Sequence, residues 1–347
     1  MAKVVNLGGL SRVEGCTVKS RNIKSFGLFA GACAVLLAGC ASEPPRRASM
    51  RPSERMAMRP APERAQQALA PRQADLIAQA SAFESFMRHA RGIDGEFSGP
   101  AEVAQAVQTG AAHAPGELES GMVAYAALAA LQEPAFVNAV RGERDGGALA
   151  RRIEADPAAA MTLPGARDAS ARAAGALYAE GQSLSAEGQK VKRASYSVQH
   201  QAWSTQRTDG AAQLVQVKRA GAAGYRPQAG DGEQLAQSLS QGGRRGGTPS
   251  PLVAHGVALA ALSLLGQESR DRSLLADVRT GSCLRVAKLN YHQCLAAAGT
   301  RYEDIYCLGQ HAMIDPGQCV IEATEIHVNR SPVPARRPAV TRTSYRR

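Results

Sequence analysis

The chain has 347 residues, of which 44% are hydrophobic and only 4% aromatic, and carries a formal charge of +11. So few aromatics exclude large β-sandwiches, whose strands draw on aromatic and β-branched side chains, and favour helices that close-pack Ala, Leu and Val. The first 39 residues hold five Lys/Arg and one Glu, so the 308 residues after them carry a charge near +7, enough chain for one large or two small domains.

The N-terminal segment reads as an export signal. Lys19, Arg21 and Lys24 precede an apolar run from Phe26 to Leu37. A charged region followed by a short hydrophobic one is the order of a secretory signal, and the run is too short for a spanning helix of about 20 residues. The run stops at Leu37-Ala38-Gly39-Cys40, which resembles the lipobox of bacterial lipoproteins. That resemblance covers residues 18–40 and implies cleavage before Cys40 and lipid on its sulfur; no later run in the sequence approaches the length of a spanning helix, so the lipid is the only anchor expected. Ala41 and Ser42 follow in place of an Asp; by the same resemblance the expected address is the outer membrane, facing the periplasm. Residues 1–17 form a long preface to a signal already complete from Val18, so translation is expected to begin at Val18.

Residues 41–70 are rich in Pro, Arg, Ala and Met without periodicity and read as a flexible tether. A helix is expected from Asp75, with Leu76, Ile77, Ala80, Phe83, Phe86 and Met87 at three- and four-residue spacing. Gly92 to Pro100 breaks it, and a shorter helix follows over 101–112. The stretch from Glu117 to Leu131 is almost wholly apolar beyond its acidic first turn (Glu117, Glu119), so it is the expected central helix. Pro134 starts the next, and shorter pieces run from Gly146 to Met161.

Between 167 and 206, Leu177, Leu184, Val191 and Val198 recur every seven residues. Gly181, Gly188, Ser195 and Ala202 come four residues after each. A seam of large and small residues predicts one long helix meeting a partner helix at close range, either within the monomer or in another protein. A competing β-hairpin reading pairs the alternating stretch 195–202 with Leu214, Val215 and Val217 across Asp209-Gly210. Residues 222–251, rich in Gly, Ser and Pro, read as a linker holding a short helix near Glu233 to Leu239. An apolar helix is expected from Leu252 to Leu265 and another near Arg270 to Val278.

Beyond Cys40 lie Cys283, Cys294, Cys307 and Cys319, and an even set in an exported chain reads as disulfides. Four cysteines allow three pairings. In an antiparallel helical hairpin, facing residues share a nearly constant index sum, which favours Cys283–Cys319 with Cys294–Cys307 around a turn at Ala298-Gly299-Thr300. The plan is similar to hairpins of the coiled-coil-helix–coiled-coil-helix type, with longer spacings. Asp315-Pro316-Gly317 is expected to interrupt the second arm, which weakens the case for the outer bridge more than for the inner. No Cys-x2-Cys offers a zinc knuckle. His292 and His311 are register neighbours on the hairpin, read as exposed polar residues with a two-His metal site as the alternative.

Motifs for catalysis are sparse. Gly-x-Ser-x-Gly, His-Glu-x-x-His, Ser-x-x-Lys and a phosphate loop are all missing from the sequence. Glu84-Ser85 and Glu268-Ser269 resemble the catalytic Glu-Ser of lytic transglycosylases, without that family's downstream Gly-Leu-Met-Gln. Arg330, Arg336, Arg337, Arg342, Arg346 and Arg347 make an acid-free tail, expected to be solvated and disordered, or to meet anionic lipid or cell wall rather than nucleic acid. The fold expected is mostly α: a helical bundle, one long heptad-bearing helix and a disulfide-stapled C-terminal hairpin. The expected function is that of a non-enzymatic envelope lipoprotein, without cofactor, that positions a protein partner or a second copy of itself through helix packing along Leu177, Leu184, Val191 and Val198. A peptidoglycan-active enzyme (or its activator) and a wall-binding module are the alternatives.

Overall fold

A computed structural model describes residues 74–266 and 272–325. Cys40, the tether, Glu268 and the basic tail lie outside the described residues. Within them run twelve α-helices: α1 Ala74–Arg91, α2 Pro100–Ala111, α3 Pro115–Ala130, α4 Pro134–Arg141, α5 Gly146–Ala155, α6 Ala166–Val198, α7 Gly210–Ala222, α8 Asp231–Gln241, α9 Pro251–Leu264, α10 Val278–Ala297, α11 Arg301–Cys307 and α12 Asp315–Glu322. Two 3-10 turns, Pro157–Thr162 and Arg272–Leu275, and a π-helical turn, Leu308–Ile314, complete the set. The one extended pairing among the described residues is the isolated bridge between Arg207 and Thr300. The protein is all-α, and no single described helix is long and apolar enough to cross a membrane.

Helix starts follow from local chemistry. Pro opens α2, α3, α4 and α9, where its missing N–H costs nothing. Asp145, Asp209, Ser250 and Asp277 each accept a backbone N–H from the first turn of α5, α7, α9 and α10.

The core is built around α3, buried without a break from Met122 to Ala130 and packed against α1, α6 and α9. Alanine and glycine set the spacing. A Cβ on Gly256 of α9 would fall 2.6 Å from the Ala126 side chain, and one on Gly121 would fall 2.8 Å from the Gln79 carbonyl of α1. Close approach of backbones stands in for the bulky side chains that the composition lacks. At the centre the rings of Phe83 and Tyr125 meet edge-on at 5.1 Å.

Several expectations need correction. The long helix ends at Val198, not 206: the Ser204 hydroxyl bonds the Val198 carbonyl, and the chain turns to lay residues 199–209 along the hairpin tip. The β-hairpin alternative fails because Asp209 caps a helix, accepting from Ala212 N at 3.0 Å, rather than closing a strand turn. Residues 222–251 are more than a spacer. They carry the full helix α8, with Leu235, Ala236 and Leu239 buried, and then a strap in which Arg245 N donates to the Ala171 carbonyl at 2.7 Å while its guanidinium covers the Tyr178 ring. The helix expected near Arg270 to Val278 is only the turn Arg272–Leu275, since Asp277 starts α10 directly afterwards.

Candidate functional site

The C-terminal hairpin is formed by α10 and a second arm running through α11, the π-helical turn and α12. Its turn falls at Ala298-Gly299-Thr300, where Glu303 Oε2 accepts from the Gly299 and Thr300 N–H groups. The nested bridges are present, with Cα separations of 5.7 Å for Cys283–Cys319 and 5.6 Å for Cys294–Cys307. Asp315-Pro316-Gly317 does not break the second arm. Pro316 follows the π-helical turn and sits at the start of α12, a position where its missing N–H is tolerated. Arm and bridge therefore continue to Glu322. The hairpin base is pinned to the core by Glu119, whose carboxylate accepts from Asp277 N at 2.6 Å and faces Gly281 in the first turn of α10. Burial raises the pKa of that carboxyl.

The heptad face packs against this second arm. Leu177, Leu184 and Val191 are fully buried and Val198 nearly so. A Cβ on Gly181 would fall 2.7 Å from the Gly317 carbonyl, and one on Gly188 would fall 2.9 Å from Ile314 N. The partner helix that the seven-residue repeat demands is the chain's own, so the intramolecular alternative holds and these residues present no surface to another molecule.

What stays open is the outward side of α10. Val278 is 84% exposed, Val286 52% and Leu289 54%. Beside it lies a cleft of ≈ 730 Å³ whose walls include Val278, Ser282, Val286 and the Cys283–Cys319 bridge, with Asp315 and Gln318 across from them on α12. Neither α10 nor the adjoining α7 contains an Asp or Glu, while Arg279, Arg285, Lys218 and Arg219 are exposed on them. The result is an apolar stripe flanked by cations.

Glu84 belongs to another setting. Its carboxylate, 2% exposed, takes the Arg88 guanidinium at 3.1 Å, and Arg88 also reaches Asp231 at 3.4 Å. Arg91 bonds Glu180 at 2.6 Å, and Ser238 relays Glu180 to the Tyr125 hydroxyl through two 2.7 Å hydrogen bonds. The Tyr225 hydroxyl donates to Asp231 at 2.5 Å. Burial raises the Glu84 pKa and Arg88 opposes the rise. A general acid must reach a glycosidic oxygen, and this carboxylate is shut inside an ionic brace joining α1, α6 and α8. Ser85 is not an activated nucleophile either: His89 Nδ1 lies 2.7 Å from the Ser85 carbonyl and 3.2 Å from Ser85 Oγ, so its proton is committed to the carbonyl. Glu180 and Asp231 were not singled out from sequence. The available signal was an acid directly beside the apolar seam positions Leu177 and Gly181.

The two hairpin histidines have separate surroundings. His311 Nδ1 lies 2.7 Å from Asp315 Oδ2. Burial pushes the Asp315 carboxyl up, but the bonds from His311 and Gln310 outweigh it and hold the pKa below its usual range. His292 is half-buried rather than exposed, and burial first, then the neighbouring Lys288 and Lys218, lower its pKa. Among the described residues no three His, Cys, Asp or Glu side chains group closely enough to hold a metal ion.

No family model, curated protein or solved structure matches this chain.

Proposed function

We propose that the protein is an exported, lipid-anchored envelope lipoprotein of non-enzymatic type that holds a protein partner on the outward side of α10. The observation that carries the reading is the exposure of Val278, Val286 and Leu289 beside an open cleft on a hairpin braced by two disulfides. Stapled scaffolds belong to oxidising compartments, which agrees with the lipobox-like Leu37–Cys40 and an outer-membrane address facing the periplasm. An apolar stripe flanked by Arg279 and Arg285 suits an acidic amphipathic helix laid along the cleft. The heptad seam is unavailable for this role because it is buried at home.

Anchoring is tested by growing cells with labelled palmitate. Label on the full-length protein that disappears in Cys40→Ser, together with four alkylation-resistant cysteines before reduction, is the expected outcome. An unlabelled chain with free thiols at 283, 294, 307 and 319 contradicts export and lipidation alike.

A further inference from the structure

The link between α2 and α3 is closed by basic side chains. His113 lies in it with 6% exposure, its ring tilted over Phe86 of α1 at 4.3 Å. Both ring nitrogens are shut off from solvent, and no side chain bonds either of them. The Gly110 backbone favours a proton on the ring. A neutral imidazole has one N–H to give, and a charged one has two. Charging the ring here would bury a second N–H with nothing to receive it, beside a cation already in place.

That cation is Lys288 of α10. Its ammonium is held by the carbonyl of Ala111, the last residue of α2, and by that of His113 itself at 2.8 Å. The C-terminal end of a helix favours a positive charge. Burial lowers the Lys288 pKa to about 8, so the side chain is charged at neutral and acid pH. Three residues on, the Tyr291 hydroxyl donates to the Val107 carbonyl at 2.9 Å. Lys288 and Tyr291 tie α10 to α2.

The titratable and charged groups around His113 are Lys288 and His292 from α10, with Lys218 of α7 beyond them, His89 from α1, Glu117 from α3, and Tyr225. Glu117 is the one acid among them; its carboxylate accepts the Tyr225 N–H at 3.0 Å and makes no bond to the imidazole. Burial first, then Lys288 and His292, hold the His113 pKa well below its usual range. The closed corner therefore rejects a proton that an opened corner takes at the ordinary value of 6.5. The contribution of His113 to closure is complete above that value and is lost as pH falls below it.

We propose that this corner is an acid-opened latch: in mild acid the open form is trapped by a proton on His113, and the ties from Lys288 and Tyr291 to the end of α2 are released. The latch rests on packing within the chain and stands if the docking reading of α10 fails.

The test follows the full chain from pH 7 to pH 5 by the ring signals of its histidines and by hydrogen exchange, each rate corrected for its intrinsic pH dependence. Amides in 110–118 and 288–292 are expected to lose protection by up to about 25-fold, as uptake of one proton by the open form requires. The amides of α9 are expected to keep theirs, which separates local opening from a general loss of stability, and the His113 ring stays at its neutral position. His113→Phe, which keeps a ring against Phe86 and takes no proton, is expected to flatten the pH dependence at the corner, while His292→Gln leaves most of it. A His113 ring that titrates at its ordinary value, corner protection that is equal at pH 7 and pH 5, or a loss that persists in His113→Phe overturns the proposal. The ring titration and the exchange of the parent chain decide the matter even if the variant fails to fold.

Discussion

Helix α6 meets its neighbours in two opposite ways within one turn. At Gly181 its backbone lies against Gly317 in an apolar seam, while at Glu180, about 100° around the helix, a carboxylate enters an ionic brace with Arg91 and Ser238. The seam is held by shape, repeated along Leu177, Leu184, Val191 and Val198. The brace depends on a few charges whose partners lie 58 and 89 residues away in sequence. Shape tolerates no added atom, whereas charge tolerates no missing partner, and the two should fail differently.

The largest effect is expected from cutting the staples behind the seam. Loop closure assigns about 4 kcal/mol to the bridge whose cysteines are 36 positions apart in sequence and about 3 kcal/mol to the one whose cysteines are 13 apart. In the Cys→Ser pairs, hydrogen exchange should rise first in the second arm and the facing half of α6, with α1 and α8 keeping their protection. Next, Glu180→Ala leaves Arg91 facing a buried site without its partner. The expected loss is about 3 kcal/mol in denaturant unfolding, near the low end for buried pairs because Arg91 keeps some contact with water. Replacing both charges, Arg91→Met with Glu180→Leu, should recover most of that loss. Gly188→Val tests the other side: its new carbons meet Ile314 N and the Met313 side chain, for a cost of about 2–3 kcal/mol that no polar replacement relieves.

A pH experiment sharpens the account of charge. Burial raises the Asp304 carboxyl to about 6, with Arg301 and Gln213 pulling the other way. The folded state therefore holds a proton that the unfolded chain has released. The contribution of this group to stability is greatest below the unfolded value of 3.8 and falls as pH rises toward about 6. Asp304→Asn should remove that fall, gaining about 2 kcal/mol over the parent between pH 4 and pH 7 in chemical unfolding. The smallest effect on folding belongs to the proposed docking surface. Leu289→Asp, at a position 54% exposed, should change stability by less than about 0.5 kcal/mol.

The two contacts of α6 also differ in how far they can be read from sequence. A seam announces itself by period: the sevenfold recurrence of Leu and Val, with small residues between, required a facing helix, and the cysteine spacing favoured the nested pairing over two others. The identity of the facing helix was out of reach, because glycines at 309 and 317 carry no period of their own. Charge carries no such signature. Glu84 was visible only as part of a common dipeptide, and Glu180 and Asp231 lay in helices whose mates are distant in sequence. The Gly- and Ser-rich composition of 222–251 suggested a spacer because glycine is read as freedom; here Gly242 sits against Ala176 and Arg245 reaches Glu325 and Tyr178, so the segment is a strap. The exposed stripe on α10 was hidden by the cysteines, whose pairing explains one face of that helix and says nothing of the other.

In the proposed function, partner capture belongs to the open face of α10 and not to the closed seam. The direct measurement is photocrosslinking in cells, with the reactive side chain placed at 289 in one strain and at 184 in another, followed by mass-spectrometric mapping of the joined peptides. Crosslinks from 289 to an acidic amphipathic helix of a second envelope protein, with those from 184 confined to residues 308–322 of the same chain, are the predicted result. Intermolecular crosslinks from 184, or products at 289 limited to lipid or to nothing, would contradict it.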